Sequence, residues 1–159
     1  MTSTALQPAR PPVATPARRK GVPPRLFAGA VALACLALLL VASTLKPDAA
    51  GHGTHTQLGI PPCGWAVAFR TPCVTCGMTT SFAHFASGQF IQSFLTQPAG
   101  ALLALATSVT FWGALVQAIS GSRVDRLAAR FLPTRALWIA LALVIAAWIY
   151  KIIIWNPHA

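Results

Sequence analysis

The sequence has very little charge, and almost none of it is negative. Only 9% of the 159 residues are charged, against about 25% in an ordinary soluble domain. The two acidic residues, Asp48 and Asp125, are separated by a long apolar block, so they do not form the carboxylate pair that acid–base catalysis uses. The sequence also lacks a phosphate-binding glycine loop. It therefore indicates no catalytic residues, and we do not expect a conventional enzyme.

Apolar residues make up 55% of the chain and are gathered into three long blocks. Residues 26–45 and 99–119 carry no charge, and residues 136–155 carry one, Lys151. A helix of about 20 residues is about 30 Å long, which matches the hydrocarbon core of a bilayer. In lipid each backbone amide needs an internal partner, so each block should be helical. The sequence predicts an all-α membrane protein with three transmembrane helices, at 26–45, 99–119 and 136–155.

Basic residues lie before the first block and between the second and third, and few lie elsewhere. The segment between the first two blocks has only Lys46 and Arg70. The basic residues of the two flanks are Arg10, Arg18, Arg19, Lys20 and Arg25, then Arg123, Arg126, Arg130 and Arg135. Lysine and arginine accumulate on the cytoplasmic side of membrane proteins. We therefore expect a protein of the cytoplasmic (inner) membrane with its N-terminus inside and residues 46–98 outside.

The remaining segments follow from this topology. Residues 1–25 are rich in proline and arginine and are expected to be a disordered cytoplasmic tail. Residues 120–135 form a basic cytoplasmic loop, and residues 156–159 form a short tail. The net charge of +10 is then a topology signal. A nucleic-acid partner is not expected, because no basic–aromatic motif accompanies the charge.

Two sets of residues suggest how the helices are placed. Gly100, Ala104 and Ser108 form a stripe of small residues at four-residue spacing, which lets helix backbones approach each other. The third block ends in Trp148, Tyr150, Lys151 and Trp155. Amphipathic aromatic side chains settle at the level of the lipid headgroups, and Lys151 is expected to extend outward to the same level.

The segment 46–98 contains two short amphipathic patterns on either side of Gly88. Met78, Phe82 and Phe85 share one helical face, and a second apolar set, Phe90, Ile91, Phe94 and Leu95, follows. We expect a pair of interfacial helices lying flat in the outer headgroup layer. In the alternative arrangement, residues 78–95 enter the membrane as a re-entrant hairpin, which requires protein cover for its turn.

The side chains best suited to chemistry are three cysteines in this segment. Cys63, Cys73 and Cys76 are followed by Gly77 and Thr79 in the pattern C-x9-C-x2-C-G-x-T. Thiols can form disulfides, bind metal or exchange electrons. Any functional chemistry of this chain is therefore expected here.

The motif resembles the domain-of-unknown-function 2752 family of small bacterial membrane proteins, over residues 63 to about 118. That family has a cysteine, nine residues, C-P-x-C-G-x-T-R-A, a later glycine and an N-P pair before a transmembrane helix. The matching positions here are Cys63, Cys73, Cys76, Gly77, Thr79, Gly88 and Pro98. Val74, Thr80 and Gln97 stand where the family has proline, arginine and asparagine. The resemblance implies a membrane protein with a shared extramembrane motif, and it implies no activity.

Three interpretations of the cysteines remain open. The first is a structural disulfide between Cys63 and either Cys73 or Cys76, because thiols outside the cytoplasm are oxidised. The second is a zinc or iron site in which His84, His52 or His55 adds a fourth ligand, although no cofactor is required. The third is thiol–disulfide exchange with Cys73 as nucleophile and Cys76 as resolving thiol.

The sequence thus predicts a small membrane subunit or scaffold whose outer cysteine motif is stabilised by a disulfide. Its expected partners are the lipid bilayer and either another membrane protein or further copies of the same chain. A metal-binding or redox site on the outer face is the alternative function.

Overall fold

The computed structural model describes residues 23–122 and 134–155, and within these ranges it contains helices and no strand. The chain forms α1, then a 3-10 helix and three short helices α2 to α4, and then the long helices α5 and α6. Their bounds are α1 Pro24–Thr44, the 3-10 helix Thr54–Leu58, α2 Gly64–Phe69, α3 Met78–Ala86, α4 Phe90–Thr96, α5 Pro98–Ser120 and α6 Thr134–Ile153. We call residues 45–97, which join α1 to α5, the connecting segment.

The prediction of an α-helical membrane protein with three spans is confirmed. Three helices are long and apolar enough to cross a membrane: Pro24–Thr44, Pro98–Ser120 and Ala136–Ile153. α1 and α5 each begin with a proline, which has no N–H to leave unpaired at that position. α5 ends at Ser120, and Gly121 after it has a φ of 70°, which suits a left-handed cap. The predicted tail 1–25, basic loop 120–135 and tail 156–159 lie largely or wholly outside the described residues.

α1 and α5 pack side by side along their length. At one end of the pair, the buried residues Ala42 and Ala104 pack with Phe82 of α3. At the other end, Arg25 Nη2 donates to the carbonyl of Ile119 over 2.6 Å. The two helices are therefore antiparallel and joined at both ends.

The outer faces of the long helices are covered with exposed apolar side chains. Leu33 of α1, Val109 of α5 and Leu137 of α6 are 69%, 65% and 71% exposed. Such surfaces are unstable in water and favourable in a bilayer. The molecule is thus a multi-pass membrane protein whose helices contact lipid.

The prediction of two short helices joined at Gly88 is confirmed. Gly88 has a φ of 76°, its N–H donates to Phe85 O, and the N–H of Gln89 donates to His84 O. These two bonds are those of a Schellman motif, which ends a helix with a left-handed glycine. The apolar face of α3 does not meet lipid, since Phe82 is buried against α1 and α5 with Met78 and Phe85 beside it.

α6 is attached to the connecting segment by hydrogen bonds from side chains near its end. Trp148 Nε1 donates to Pro72 O, Tyr150 Oη to Leu95 O, and Trp155 Nε1 to Arg70 O. The sequence places these aromatic residues at the level of the lipid headgroups. In the structure the polar atom of each one donates a hydrogen bond to a backbone carbonyl of this chain.

The expectation that Lys151 extends outward to the headgroups is wrong. Lys151 is 4% exposed, and its Nζ donates to Gly51 O at 3.0 Å and to Thr96 O at 3.1 Å. The connecting segment lies over this end of α6 and offers two carbonyls to the ammonium group. These two backbone carbonyls thus take the place of water as hydrogen-bond acceptors of the Lys151 ammonium group.

Candidate functional site: a thiol pair beside a cavity

Cys63 and Cys73 are brought together by the short helix α2. Cys63 directly precedes α2 and Cys73 follows the turn after it, so the helix returns the chain to its starting point. The two sulfur atoms lie 3.6 Å apart, within hydrogen-bonding distance. Cys73 Sγ also lies 3.4 Å from Thr75 Oγ1. The result is a half-buried pair of thiols with polar neighbours.

The predicted structural disulfide is not supported. Cys35, Cys63, Cys73 and Cys76 are all free thiols, and even the Cys63–Cys73 separation of 3.6 Å exceeds the ~2.05 Å of a sulfur–sulfur bond. A hydrogen bond between thiols holds the pair instead of a covalent bond. The structure is therefore that of a dithiol.

The surroundings of Cys63 favour its thiolate. The pKa of Cys63 is lowered from 9.0 mainly because the backbone N–H of Ala66 hydrogen-bonds to its sulfur. The Cys73 thiol lowers the same pKa by donating to the ionised sulfur, against a smaller opposing effect of burial. Donors aimed at a sulfur stabilise the charged form. Cys63 is thus the cysteine of the motif whose ionisation the structure assists.

Cys76 has the opposite environment. It is 7% exposed, and burial, with some contribution from Cys73, raises the pKa of Cys76 to about 11, although the Lys151 ammonium acts in the other direction. A buried thiol with a raised pKa is a poor nucleophile at neutral pH. Cys76 is thus the cysteine of the motif whose ionisation the structure opposes.

A cavity of about 830 Å³ lies beside the thiol pair. Its walls come from the 3-10 helix, α2, the start of α3 and the end of α6. They include Cys63, Cys73, Cys76, Gly77, Thr79, His52, His55, Arg70 and Trp155. A cavity of this size is in the range that holds small ligands or a peptide side chain. The thiols are therefore placed where another molecule can reach them.

The histidines do not complete a metal site around the cysteines. His84 Nδ1 lies 2.7 Å from Gln89 Oε1, and His84 is not among the residues that line the cavity. His52 and His55 do line the cavity, and the ring of His52 lies 4.5 Å from that of Trp155. Within residues 23–122 and 134–155, no three His, Cys, Asp or Glu side chains form a group able to hold a metal ion.

The other motif residues act mainly on backbone geometry. Gly77 has a φ of 83°, and a Cβ there would lie 2.6 Å from Gly51 O and 3.1 Å from Lys151 Nζ. Only glycine suits that combination of left-handed backbone and close approach. Pro98 begins α5 and Gly88 ends α3, while Thr79 lines the cavity.

Two departures from the family pattern occupy fully buried positions. Thr80 is 0% exposed and its hydroxyl lies 2.8 Å from that of Thr54. Gln97 is also 0% exposed; its Nε2 donates to Val74 O at 3.3 Å, and its Oε1 has no hydrogen-bond partner among the described residues. Thr80 thus joins the 3-10 helix to α3.

The small-residue stripe lies inside the molecule. A Cβ on Gly100 would lie 2.9 Å from Ser81 Cβ, and Ala104 is 0% exposed against Phe82. Ser108 donates to Ala104 O. α3 therefore packs against the small-residue stripe of α5.

Sequence reasoning missed the polar contacts that hold the site together. Ser81 Oγ lies 2.9 Å from both the carbonyl and the hydroxyl oxygen of Ser93 and 3.1 Å from Gln97 O. Lys151 binds two carbonyls of the connecting segment. The one available signal was Lys151 itself, because a charge within a span is costly and seeks a partner.

Comparison with known proteins gives one match. Residues 63–111 match the model of a family described as a protein of unknown function (DUF2752). The predicted resemblance is confirmed. The match begins at Cys63 and covers both members of the thiol pair, α3, α4 and the first part of α5. No curated protein and no solved structure matches the chain.

Proposed function

We propose that this protein is a small integral membrane protein that carries out thiol–disulfide exchange through Cys63 and Cys73 outside the cytoplasm. The observation that supports this most is the 3.6 Å separation of the two sulfurs beside an open cavity. The lowered pKa of Cys63 makes it the attacking thiol, since the thiolate is the nucleophile. The partner is a protein that carries a disulfide.

The exchange has two steps that balance. The Cys63 thiolate attacks one sulfur of the partner's disulfide, which forms a mixed disulfide and releases one partner thiolate. Cys73 then loses its proton and attacks the Cys63 sulfur, which forms the Cys63–Cys73 disulfide and releases the second partner thiolate. Two electrons pass to the partner, and two protons convert its thiolates to thiols. The reverse sequence delivers a disulfide to a reduced partner.

Location in the cytoplasmic membrane with the thiol pair outside is part of this proposal. The basic residues flanking the spans support that orientation through the positive-inside rule. An oxidising compartment supplies partners with disulfides.

Reaction with glutathione disulfide tests the chemistry in the purified protein. The native chain should lose two thiols and yield a Cys63–Cys73 disulfide, identified by mass spectrometry of its peptides. Cys73→Ser should stop at a glutathione adduct on Cys63, and Cys76→Ser should behave as the native chain. A Cys73–Cys76 product, or an adduct forming first on Cys76, would contradict the proposed roles.

A second function, a membrane subunit or scaffold, is supported by the exposed half of α6. Leu137, Trp138 and Ile139 are 71%, 67% and 61% exposed. Among the residues that the structure describes, the side-chain hydrogen bonds from α6 to the connecting segment come from Trp148, Tyr150 and Lys151, near its other end. Another membrane protein or a second copy of this chain fits that face. In this function the thiol pair would serve only to close the loop around α2.

Purification in mild detergent separates the two functions. A scaffold retains a stoichiometric partner in both the native chain and a Cys63→Ser/Cys73→Ser variant, whereas Trp138→Ala lowers its recovery. For an exchange protein the partner is held through a disulfide, so it accumulates in Cys73→Ser and is released by reductant. The zinc and iron content of the same preparation measures the metal-binding alternative.

A further inference from the structure

We propose that α3 and α4 form a hairpin that enters the bilayer beside α1 and α5 and turns at Gly88 within the hydrocarbon core. The exposed face of α4 then contacts lipid acyl chains. This inference concerns the depth of the two helices and is independent of the thiol chemistry. It favours the re-entrant arrangement over helices lying flat at the surface.

The contacts of α3 show the direction in which it runs. Met78, at its start, lies near Gly100, since a Cβ on that glycine would be 3.3 Å from Met78 Cα. Phe82 packs with Ala104, and Phe85 lines a small groove with Ser108. The residue order is the same along both helices. α3 therefore runs beside α5 in the same direction, away from the connecting segment and into the span.

The depth of the turn follows from the helix rise. Ser108 lies about 15 Å farther along the axis than Pro98 at 1.5 Å per residue, and the hydrocarbon core is about 30 Å thick. Gly88 and Phe90 line the same groove as Ser108, together with Leu39 and Leu40 of α1. Leu40 lies about 6 Å inward of Thr44 by the same rise. By α1 the turn is about 6 Å from the end of the span and by α5 about 15 Å from its start, so it lies beside the apolar part of both helices.

Most backbone N–H groups of the turn have hydrogen-bond acceptors within the hairpin, as the interior of a bilayer requires. The N–H groups of Ser87, Gly88 and Gln89 donate to Ala83 O, Phe85 O and His84 O, and the side chains of His84 and Gln89 bond to each other. Lipid requires such internal partners. Two features make burial of the hairpin in lipid less favourable. The side-chain amide of Gln92 is exposed, and the first N–H groups of α4 have no side-chain cap.

The outward surface of α4 is apolar. Phe90, Ile91, Phe94 and Leu95 are 59%, 76%, 51% and 50% exposed. This surface is continuous with the exposed apolar faces of α1 and α5, because α4 packs beside α3 and α5. Lipid is therefore the occupant that fits, since the adjoining spans already require it.

Spin-label depth measurement tests the proposal. Ile91→Cys and Leu95→Cys are made in a chain whose four native cysteines, Cys35, Cys63, Cys73 and Cys76, are replaced by serine. Each variant is spin-labelled and reconstituted into phosphatidylcholine vesicles, and its collision rates with oxygen and with a water-soluble nickel complex are compared. Val109→Cys and Gln57→Cys provide the deep and aqueous references.

A hairpin places the label at Ile91 about 6 Å deeper than the label at Leu95, from four residues of helix rise. Equal depths at the two positions, or greater nickel access at Ile91 than at Leu95, would overturn the proposal. A second measurement keeps the native cysteines and places benzoyl-phenylalanine at Ile91. Irradiation in vesicles should give lipid adducts, as at Val109, and their absence at Ile91 alone would also overturn it.

Discussion

At the scale of single residues, Cys63 and Cys76 of the motif lie in different environments. Cys63 meets a backbone N–H and a second thiol, whereas Cys76 is buried. The sequence presents both as equivalent members of one pattern. The contact between Cys63 and Cys73 depends on the return of the chain by α2, and that return is not visible in residue spacing.

Alkylation rates should show this difference. Below pH 9 the thiolate fraction of Cys63 exceeds that of Cys76, because the pKa of Cys63 is lowered from 9.0 and that of Cys76 is raised to about 11. Iodoacetamide at pH 8 should therefore modify Cys63 several-fold faster than Cys76, followed by mass spectrometry. In Cys73→Ala the pH profile of Cys63 should move upward, since one donor to its thiolate is removed. Equal rates at Cys63 and Cys76 would refute the assignment.

The same shift at Cys76 has a consequence for stability. A group whose pKa is higher in the folded state stabilises the fold fully below its unfolded value of about 9 and loses that contribution as pH rises toward 11. Thermal stability in detergent should therefore fall between pH 9 and pH 11. Cys76→Ala should show a smaller fall over that interval, and an unchanged pH dependence would argue against a buried thiol.

Gly77 offers a second residue-scale test, with Gly59 as its control. Both have a left-handed backbone, with φ of 83° and 76°, but a Cβ on Gly59 meets nothing within 4 Å. Gly59→Ala should lose only the conformational term of about 1–2 kcal/mol. Gly77→Ala should lose clearly more, because its Cβ would also lie 2.6 Å from Gly51 O. Denaturation of the two variants in detergent measures the difference, and equal losses would contradict the close approach at Gly77.

At the scale of elements, the apolar patterns predicted which helices form but not what each one packs against. The three spans differ from the predicted limits by at most two residues at each end, because long uncharged runs leave few alternatives in lipid. The pattern of α3 indicated an amphipathic helix, and its apolar face meets α1 and α5. Hydrophobic periodicity shows which face is apolar, but it does not separate lipid from protein as the neighbour.

The packing of α3 on α5 depends on Gly100. A Cβ there would lie 2.9 Å from Ser81 Cβ, whereas a Cβ on Gly29 of α1 meets nothing within 4 Å. Gly29→Ala should be neutral or stabilising by up to about 1 kcal/mol, the ordinary gain of alanine in a helix. Gly100→Ala should destabilise by about 1–3 kcal/mol through overpacking. Thermal unfolding of the two variants measures the difference in stability. A stabilised Gly100→Ala would show that α3 does not lie against the Gly100 face of α5.

At the scale of the whole molecule, the three membrane-spanning helices carry the thiol pair in the connecting segment at one end of the molecule. The hydrogen bonds from Trp148, Lys151 and Trp155 fasten the connecting segment to the last span. The composition predicted the three spans, and the expectation that chemistry lies at the cysteine motif stays a prediction. The contact between the connecting segment and α6 could not be predicted, because Lys151 lies 100 residues from Gly51 and 55 residues from Thr96 in the chain. Their backbone carbonyls also leave no pattern in a sequence.

The central claim is that Cys63 and Cys73 form a reactive pair that faces away from the cytoplasm. Intact cells are treated with a membrane-impermeant maleimide, before and after an impermeant reductant, and the labelled cysteines are identified by mass spectrometry. The account predicts label on both Cys63 and Cys73 in intact cells, increased by the reductant, with Cys76 unlabelled. Label that reaches Cys63 and Cys73 only after the cells are opened would contradict it.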